Sequence, residues 1–135
     1  MKSKLQMVRD FHVKFRQDAA DKPAEMTASI ASLRKKLVTE EARELVDAID
    51  QGDLHDQLDA LCDLLYVTYG TAIAMGMSAV LDEAFERVHD ANMRKVLAPS
   101  RLESKRDNPW DVIKPEGWTK PDLHDLVEPC HVGDP

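Results

Sequence analysis

Several things are scarce in this 135-residue chain, and each scarcity excludes something. There are two cysteines, Cys62 and Cys130, and neither belongs to a C-x-x-C pair. That removes the usual zinc frameworks and leaves reduced thiols as the expectation. Aromatic residues make up 5% of the chain and no basic stripe carries interleaved aromatics, so nucleic acid is not an expected partner. No apolar run approaches the roughly 18 residues that a membrane span requires. The basic start, MKSKLQMVRDFH, lacks the apolar core of a secretory signal, and a cytoplasmic location is expected. Five glycines are scattered singly, and no Gly-rich phosphate cradle exists.

What is abundant is charge, and it is segregated. The net charge is −7, yet residues 1–39 carry 9 basic and 4 acidic side chains, whereas residues 40–92 carry 2 basic and 13 acidic. Residues 93–135 are nearly balanced, with 7 basic and 8 acidic. An acidic centre between basic flanks points to a cation site bordered by groups that receive anions.

Hydrophobic periodicity predicts four helices and no strand. The first spans about residues 3–18, with Leu5, Val8, Phe11, His12 and Phe15 at helical spacing. The second runs from about Thr27 to Gln51 and stops at Gly52. The third runs from about Asp53 to Gly76. The fourth is expected from about Ser78, as its N-cap, to Leu97, ahead of Pro99. Beyond it, PSRLESKRDNPWDVIKPEGWTKPD holds four prolines and both tryptophans and reads as an ordered irregular arm, with a short helix near 121–127. The expected fold is all-α: a four-helix antiparallel bundle core over residues 1–98, with an arm over 99–135 belonging to the same domain. Helix three is apolar nearly all round after Leu61, so a homodimer or homotetramer is expected.

The second helix contains a contradiction. At 100° per residue, Leu33, Leu37, Glu41, Glu44 and Ala48 fall within about 80° of one another, so two carboxylates interrupt an apolar stripe. On the third helix Asp56, Asp59 and Asp63 share a face that Tyr66 and Gly70 continue. Turned inward, an unpaired carboxylate costs several kcal/mol. Helix three has no lysine or arginine to offset this. Hard divalent cations meet such a need through carboxylate oxygens. Diiron centres of helical bundles use Glu-x-x-His pairs, which helices two and three lack. Oxygen-only ligation therefore selects Mg²⁺ or Mn²⁺, with Glu41, Glu44, Asp59 and Asp63 as candidate ligands.

In chain order, EEARE, DALCDLLYVTYGTAIAMG, VHDANMRK and KPEGW resemble the MazG-like all-α nucleoside triphosphate pyrophosphohydrolases, relatives of phosphoribosyl-ATP pyrophosphatase. The resemblance covers about residues 5–123 and is nearest to phage-type members, some of which act on purine deoxynucleotides such as dGTP. It implies hydrolysis of a (d)NTP between the α- and β-phosphates to (d)NMP and pyrophosphate. It implies Glu41, Glu44 and Asp63 as Mg²⁺ ligands and Glu40 as the group that helps activate water. Asn92 and Lys95 would meet the nucleotide and Lys114 its phosphates. Where many members carry glutamate this chain has Ala60, so Asp59 is the candidate replacement. Trp118 is a candidate cover for the nucleotide, and Phe11, His12 and Phe15 form a candidate base-stacking face. The alternative of a different class is a non-catalytic, divalent-metal-binding or regulatory helical oligomer.

Overall fold

The computed structural model describes residues 1–128. Cys130 lies outside the described residues. The fold is all-α, with four long helices and one minimal sheet among the described residues. It divides into two compact units, 1–79 and 80–128. The fourth helix falls with the arm in the second unit.

In the first unit, α1 spans Lys4–Lys14, α2 Ala28–Gln51 and α3 Leu54–Ala74. Ser3 opens α1 with a reciprocal cap: its hydroxyl accepts from the Gln6 amide at 3.2 Å, and the Gln6 side chain accepts from the Ser3 amide at 3.1 Å. α1 ends earlier than the periodicity predicts. Arg16 takes φ +53°, and the Gln17 amide turns back to the His12 carbonyl at 2.8 Å. The Thr27 hydroxyl caps α2, and Gly52 closes it in the left-handed conformation at φ +79°. The Asp53 carboxylate then caps α3 through the Asp56 amide at 3.1 Å. This two-residue link makes α2 and α3 antiparallel neighbours. α3 is the central helix and packs on both α1 and α2.

Val8, His12, Ala48, Ala60, Ala72, Ile73 and Ala74 are buried in this unit. The Ala20 amide donates to the Ile73 carbonyl and the Ala24 amide to that of Met75, so the α1–α2 connection lies along the end of α3. Gly76 makes this approach possible. Its φ is +72°, and a Cβ there would stand 1.9 Å from the Lys22 carbonyl oxygen. Leu54, Leu58, Leu61 and Leu65, at helical spacing on α3, remain exposed, as do Val46 and Ile49 on α2.

The second unit begins with α4, Leu81–Met93. The expected N-cap at Ser78 is corrected. Val80 occupies that position without a side-chain bond, and the Ser78 hydroxyl is buried without a partner. The expected helical run to Leu97 is also corrected. The chain leaves the helix at Arg94, and Val96–Leu97 form β1, paired antiparallel with β2, Val112–Ile113. The expectation of no strand therefore fails in this one place. β-branched Val96, Val112 and Ile113 favour the pairing, and its partner lies too far along the chain for local periodicity to reveal.

Asp111 organises the intervening loop, accepting from Ser104 Oγ at 2.9 Å, Arg106 Nη1 at 2.7 Å and the Val112 amide at 2.9 Å. These donors hold its carboxyl below the usual range, the Ser104 hydroxyl first among them. Arg87 of α4 binds both carboxylate oxygens of Asp125, at 2.6 and 2.9 Å, and the Asp122 carbonyl at 3.0 Å. Arg87 thereby clips the short α5, His124–Val127, to α4. Among the described residues, no helix is long and apolar enough to cross a membrane.

A carboxylate cluster between two antiparallel helices

The heptad relation between Leu37 and Glu44 carries the apolar stripe of α2 into an acidic one, and α3 answers with Asp63. Ligand-capable oxygens of Glu41, Glu44 and Asp63 lie within 4.8 Å of one another. Glu41 is half-buried, and its Oε2 is fully buried with no hydrogen-bond partner. Burial pushes the Glu41 carboxyl up, and Glu44 and then Asp63 reinforce the shift by repulsion. Among the described residues, none of the three makes an ion pair.

An orphaned, buried carboxylate oxygen beside two further carboxylates is an unsatisfied acceptor set for a hard cation. All donors are oxygen, the set that suits a hard divalent cation. The cluster opens into a cavity of about 330 Å³ lined by Glu44, Asp47, Ala48, Gln51, Asp56, Asp59, Ala60 and Asp63. Asp59 faces this cavity but is not one of the three convergent groups. Ala60, the position where the resemblance leads one to expect a glutamate, is buried and lines the same cavity. Glu40 is exposed, and its charge adds to the repulsion on Glu41.

A second cavity in the same unit, about 470 Å³, lies against the stretch of α2 preceding the carboxylates. Phe11, His12, Phe15, Gln17, Leu33, Arg34, Leu37, Tyr66 and Val67 line it. Phe11 packs on Phe15 with centroids 4.7 Å apart and meets Tyr66 edge-on at 5.5 Å. Tyr66 of α3 forms part of this wall. His12 is buried, and its Nδ1 lies 2.8 Å from the Asp18 carbonyl oxygen. A carbonyl only accepts, so Nδ1 carries the proton.

The remaining expected site residues belong to the second unit. Asn92 is exposed near the end of α4. Trp118 Nε1 donates to the Ala91 carbonyl at 2.7 Å, which pins the indole to α4. Lys95 Nζ lies 5.4 Å and Lys114 Nζ 4.9 Å from the Trp118 ring centroid, so one indole holds two ammonium groups. Lys95 and Lys114 also line a cavity of about 480 Å³ with Lys105, Arg106 and Asp111.

Arg34 is the residue that sequence reasoning overlooked. Its side chain lies on the Glu41 side of α2, about 20° from Glu41 at 100° per residue, yet the apolar stripe was read through Leu33 and Leu37 alone.

Two antiparallel helices that turn carboxylates toward one another in an all-α chain define a carboxylate-lined helical scaffold. The chain belongs to the phosphoribosyl-ATP pyrophosphohydrolase family, whose model matches residues 8–92. That span holds the three convergent carboxylates, Asp59, His12 and Asn92, and ends before Lys95. A curated relative is the uncharacterized protein L479 of Acanthamoeba polyphaga mimivirus, 46% identical over 46 residues. The similarity covers 34% of this chain and 18% of that protein, so less than a fifth of the relative's length is represented.

Proposed function

We propose that this protein is a Mg²⁺- or Mn²⁺-dependent pyrophosphohydrolase that cleaves a purine (d)NTP, such as dGTP, between its α- and β-phosphates. The products are (d)NMP and pyrophosphate. The observation that carries this reading is the convergence of Glu41, Glu44 and Asp63 within 4.8 Å around a buried, unpartnered oxygen. Family membership supports the pyrophosphohydrolase class.

Glu41, Glu44 and Asp63 would hold the cation, with Asp59 beside them. When bound, a divalent cation supplies neutralisation of triphosphate charge and electrophilic assistance at phosphorus. Water adds across the Pα–O–Pβ anhydride. Its oxygen forms the new bond to phosphorus, the bridging oxygen departs with the other fragment, and Glu40 accepts the proton. Lys95 and Lys114, spaced by Trp118, are the phosphate ligands, and Asn92 contacts the nucleotide. The uncovered Leu54, Leu58, Leu61 and Leu65 support a homodimer or homotetramer.

The test is pyrophosphate release from a panel of NTPs and dNTPs with Mg²⁺, Mn²⁺ or chelator. Metal-dependent release with the monophosphate as co-product is the expected result. A metal-dependent rise in melting temperature with no turnover on any nucleotide would instead favour a non-catalytic metal-binding oligomer.

A further inference from the structure

Arg34 is 93% shielded, with a relative exposure of 7%, yet among the described residues no carboxylate lies within ion-pairing distance and no acceptor hydrogen-bonds to it. Desolvation pulls its affinity for the proton down, and the charge of Asp18 only partly opposes this. A guanidinium has five donors and no acceptor, and it stays charged in proteins. The Arg34 side chain is largely covered, but its nitrogens are not sealed from solvent, and in the cavity a ligand can supply their acceptors. Arg34 lines the aromatic cavity, and Gly70 makes its position possible. A Cβ on Gly70 would stand 2.6 Å from Arg34 Nη1 and 2.9 Å from His12 Nε2.

The walls say what shape of ligand fits. Phe11, Phe15 and Tyr66 keep 41%, 52% and 40% of their surface exposed although they pack on one another. They offer free ring surface in a mostly apolar cavity of about 470 Å³, where Leu33, Leu37 and Val67 share the lining with His12, Gln17 and Arg34. A planar heterocycle suits such a slot, whereas a phosphate group would be desolvated against carbon. The register along α2 says where the rest of the ligand goes. Seven residues separate Arg34 from Glu41, a rise of about 10 Å on the same face. That is of the order of the distance from a purine's edge to its α-phosphate.

We infer that this cavity is the nucleobase pocket and that Arg34 reads the O6 and N7 acceptors of a 6-oxopurine, guanine or hypoxanthine. This inference rests on the nucleotide reading proposed above and names the base class within it. Guanidinium against O6 and N7 is the bidentate match by which arginine selects guanine in other settings. Adenine would set its N6 amino donors against the guanidinium donors. Pyrimidines lack the N7 acceptor and the second ring that would fill the slot.

The test uses the wild-type chain first. kcat/KM is measured for dGTP, dITP, dATP, 7-deaza-dGTP and the 2-aminopurine deoxynucleoside triphosphate, alongside calorimetric affinities for dGMP and dAMP. dGTP and dITP should exceed dATP by about ten- to a hundred-fold, the range of a bidentate arginine contact. 7-Deaza-dGTP, without N7, and the 2-aminopurine nucleotide, without O6, should each lose most of that advantage. Arg34→Lys and Arg34→Gln should lower activity on dGTP and leave dATP nearly unchanged. An equal loss on every base would overturn the inference, by placing the guanidinium on phosphate or in a purely structural role. So would a wild-type enzyme indifferent to O6 and N7. Absence of turnover on every nucleotide would count against the hydrolase reading alone. The dGMP and dAMP affinities would then still decide the pocket, with equal affinities overturning it.

Discussion

Gly70 is the notch into which Arg34 fits. The absence of one methyl group on α3 lets a guanidinium of α2 lie against the backbone, with Nη1 2.6 Å from where that methyl would be. Gly70→Ala should remove a helix-interior glycine, worth roughly 1 kcal/mol in propensity, and displace the flexible end of Arg34. The expected outcome is a melting temperature close to wild type with a reduced preference for dGTP over dATP. Thermal melting and paired kcat/KM values check it. A fall beyond about 8 °C, equivalent to roughly 2 kcal/mol, would show that the His12 ring, hydrogen-bonded to the Asp18 carbonyl, cannot yield.

Glu41 sits where removal of charge separates stability from activity. Its carboxyl is pushed up by burial and by Glu44 and Asp63, so its ionised form is disfavoured in the folded protein. Glu41→Gln in chelator at neutral pH should melt no lower than wild type, because it removes that repulsion. It should abolish Mn²⁺-dependent activity. A marked loss of metal-free stability would make Glu41 a structural partner of some protein cation.

The two aspartates of α3 are not equivalent. Asp63 converges with Glu41 and Glu44, whereas Asp59 only faces the adjoining cavity. Asp63→Asn should eliminate Mn²⁺ binding, and Asp59→Asn should weaken it more mildly. Calorimetric Mn²⁺ titrations decide this. Equal losses would establish Asp59 as a full ligand in place of the glutamate absent at Ala60.

Lys95 and Lys114 flank the Trp118 ring at 5.4 and 4.9 Å. Lys114→Met should raise KM by roughly ten- to a hundred-fold, the loss of one charge-assisted contact, and leave Mn²⁺ affinity unaltered. Lys95→Met should also lower kcat. Steady-state kinetics at saturating metal separate the two. An unchanged KM for Lys114→Met would remove the arm from substrate binding.

Asp111 makes the loop between β1 and β2 sensitive to acid. Its carboxyl is held low by Ser104, the Val112 amide and Arg106, so its contribution is present above the ordinary aspartate range, near pH 3.9, and is lost as pH falls through the lower folded value. Asp111→Asn should therefore melt below wild type at neutral pH. The gap should hold down to about pH 4 and close below it. A gap that does not vary with pH would assign the loss to altered hydrogen bonding and not to charge.

By itself, the sequence determined the local structure and the composition of the acidic centre. Thr27, Gly52 and Asp53 bound helices through caps that act over three or four residues, and such signals are legible in a linear string. The 3.6-residue period placed Glu41 and Glu44 on one face and Asp59 and Asp63 on another, because a helix converts spacing directly into direction. Ser78 misled because a hydroxyl before an apolar run resembles a cap whether or not the chain turns there; here the helix begins three residues later. The β1–β2 pair was invisible for a different reason: its register joins Val96 to Ile113 across an irregular loop.

Only the tertiary structure decided which carboxylates converge. It drew Glu41, Glu44 and Asp63 together and left Asp59 on the cavity wall, a choice fixed by the relative rotation of α2 and α3. It alone revealed Arg34, whose meaning comes from Gly70 across the helix pair and from the aromatic side chains of α1 and α3. Helical periodicity places a residue on a face of its own helix. What that face meets depends on packing between segments distant in sequence, and there the unpartnered charge of Arg34 becomes visible.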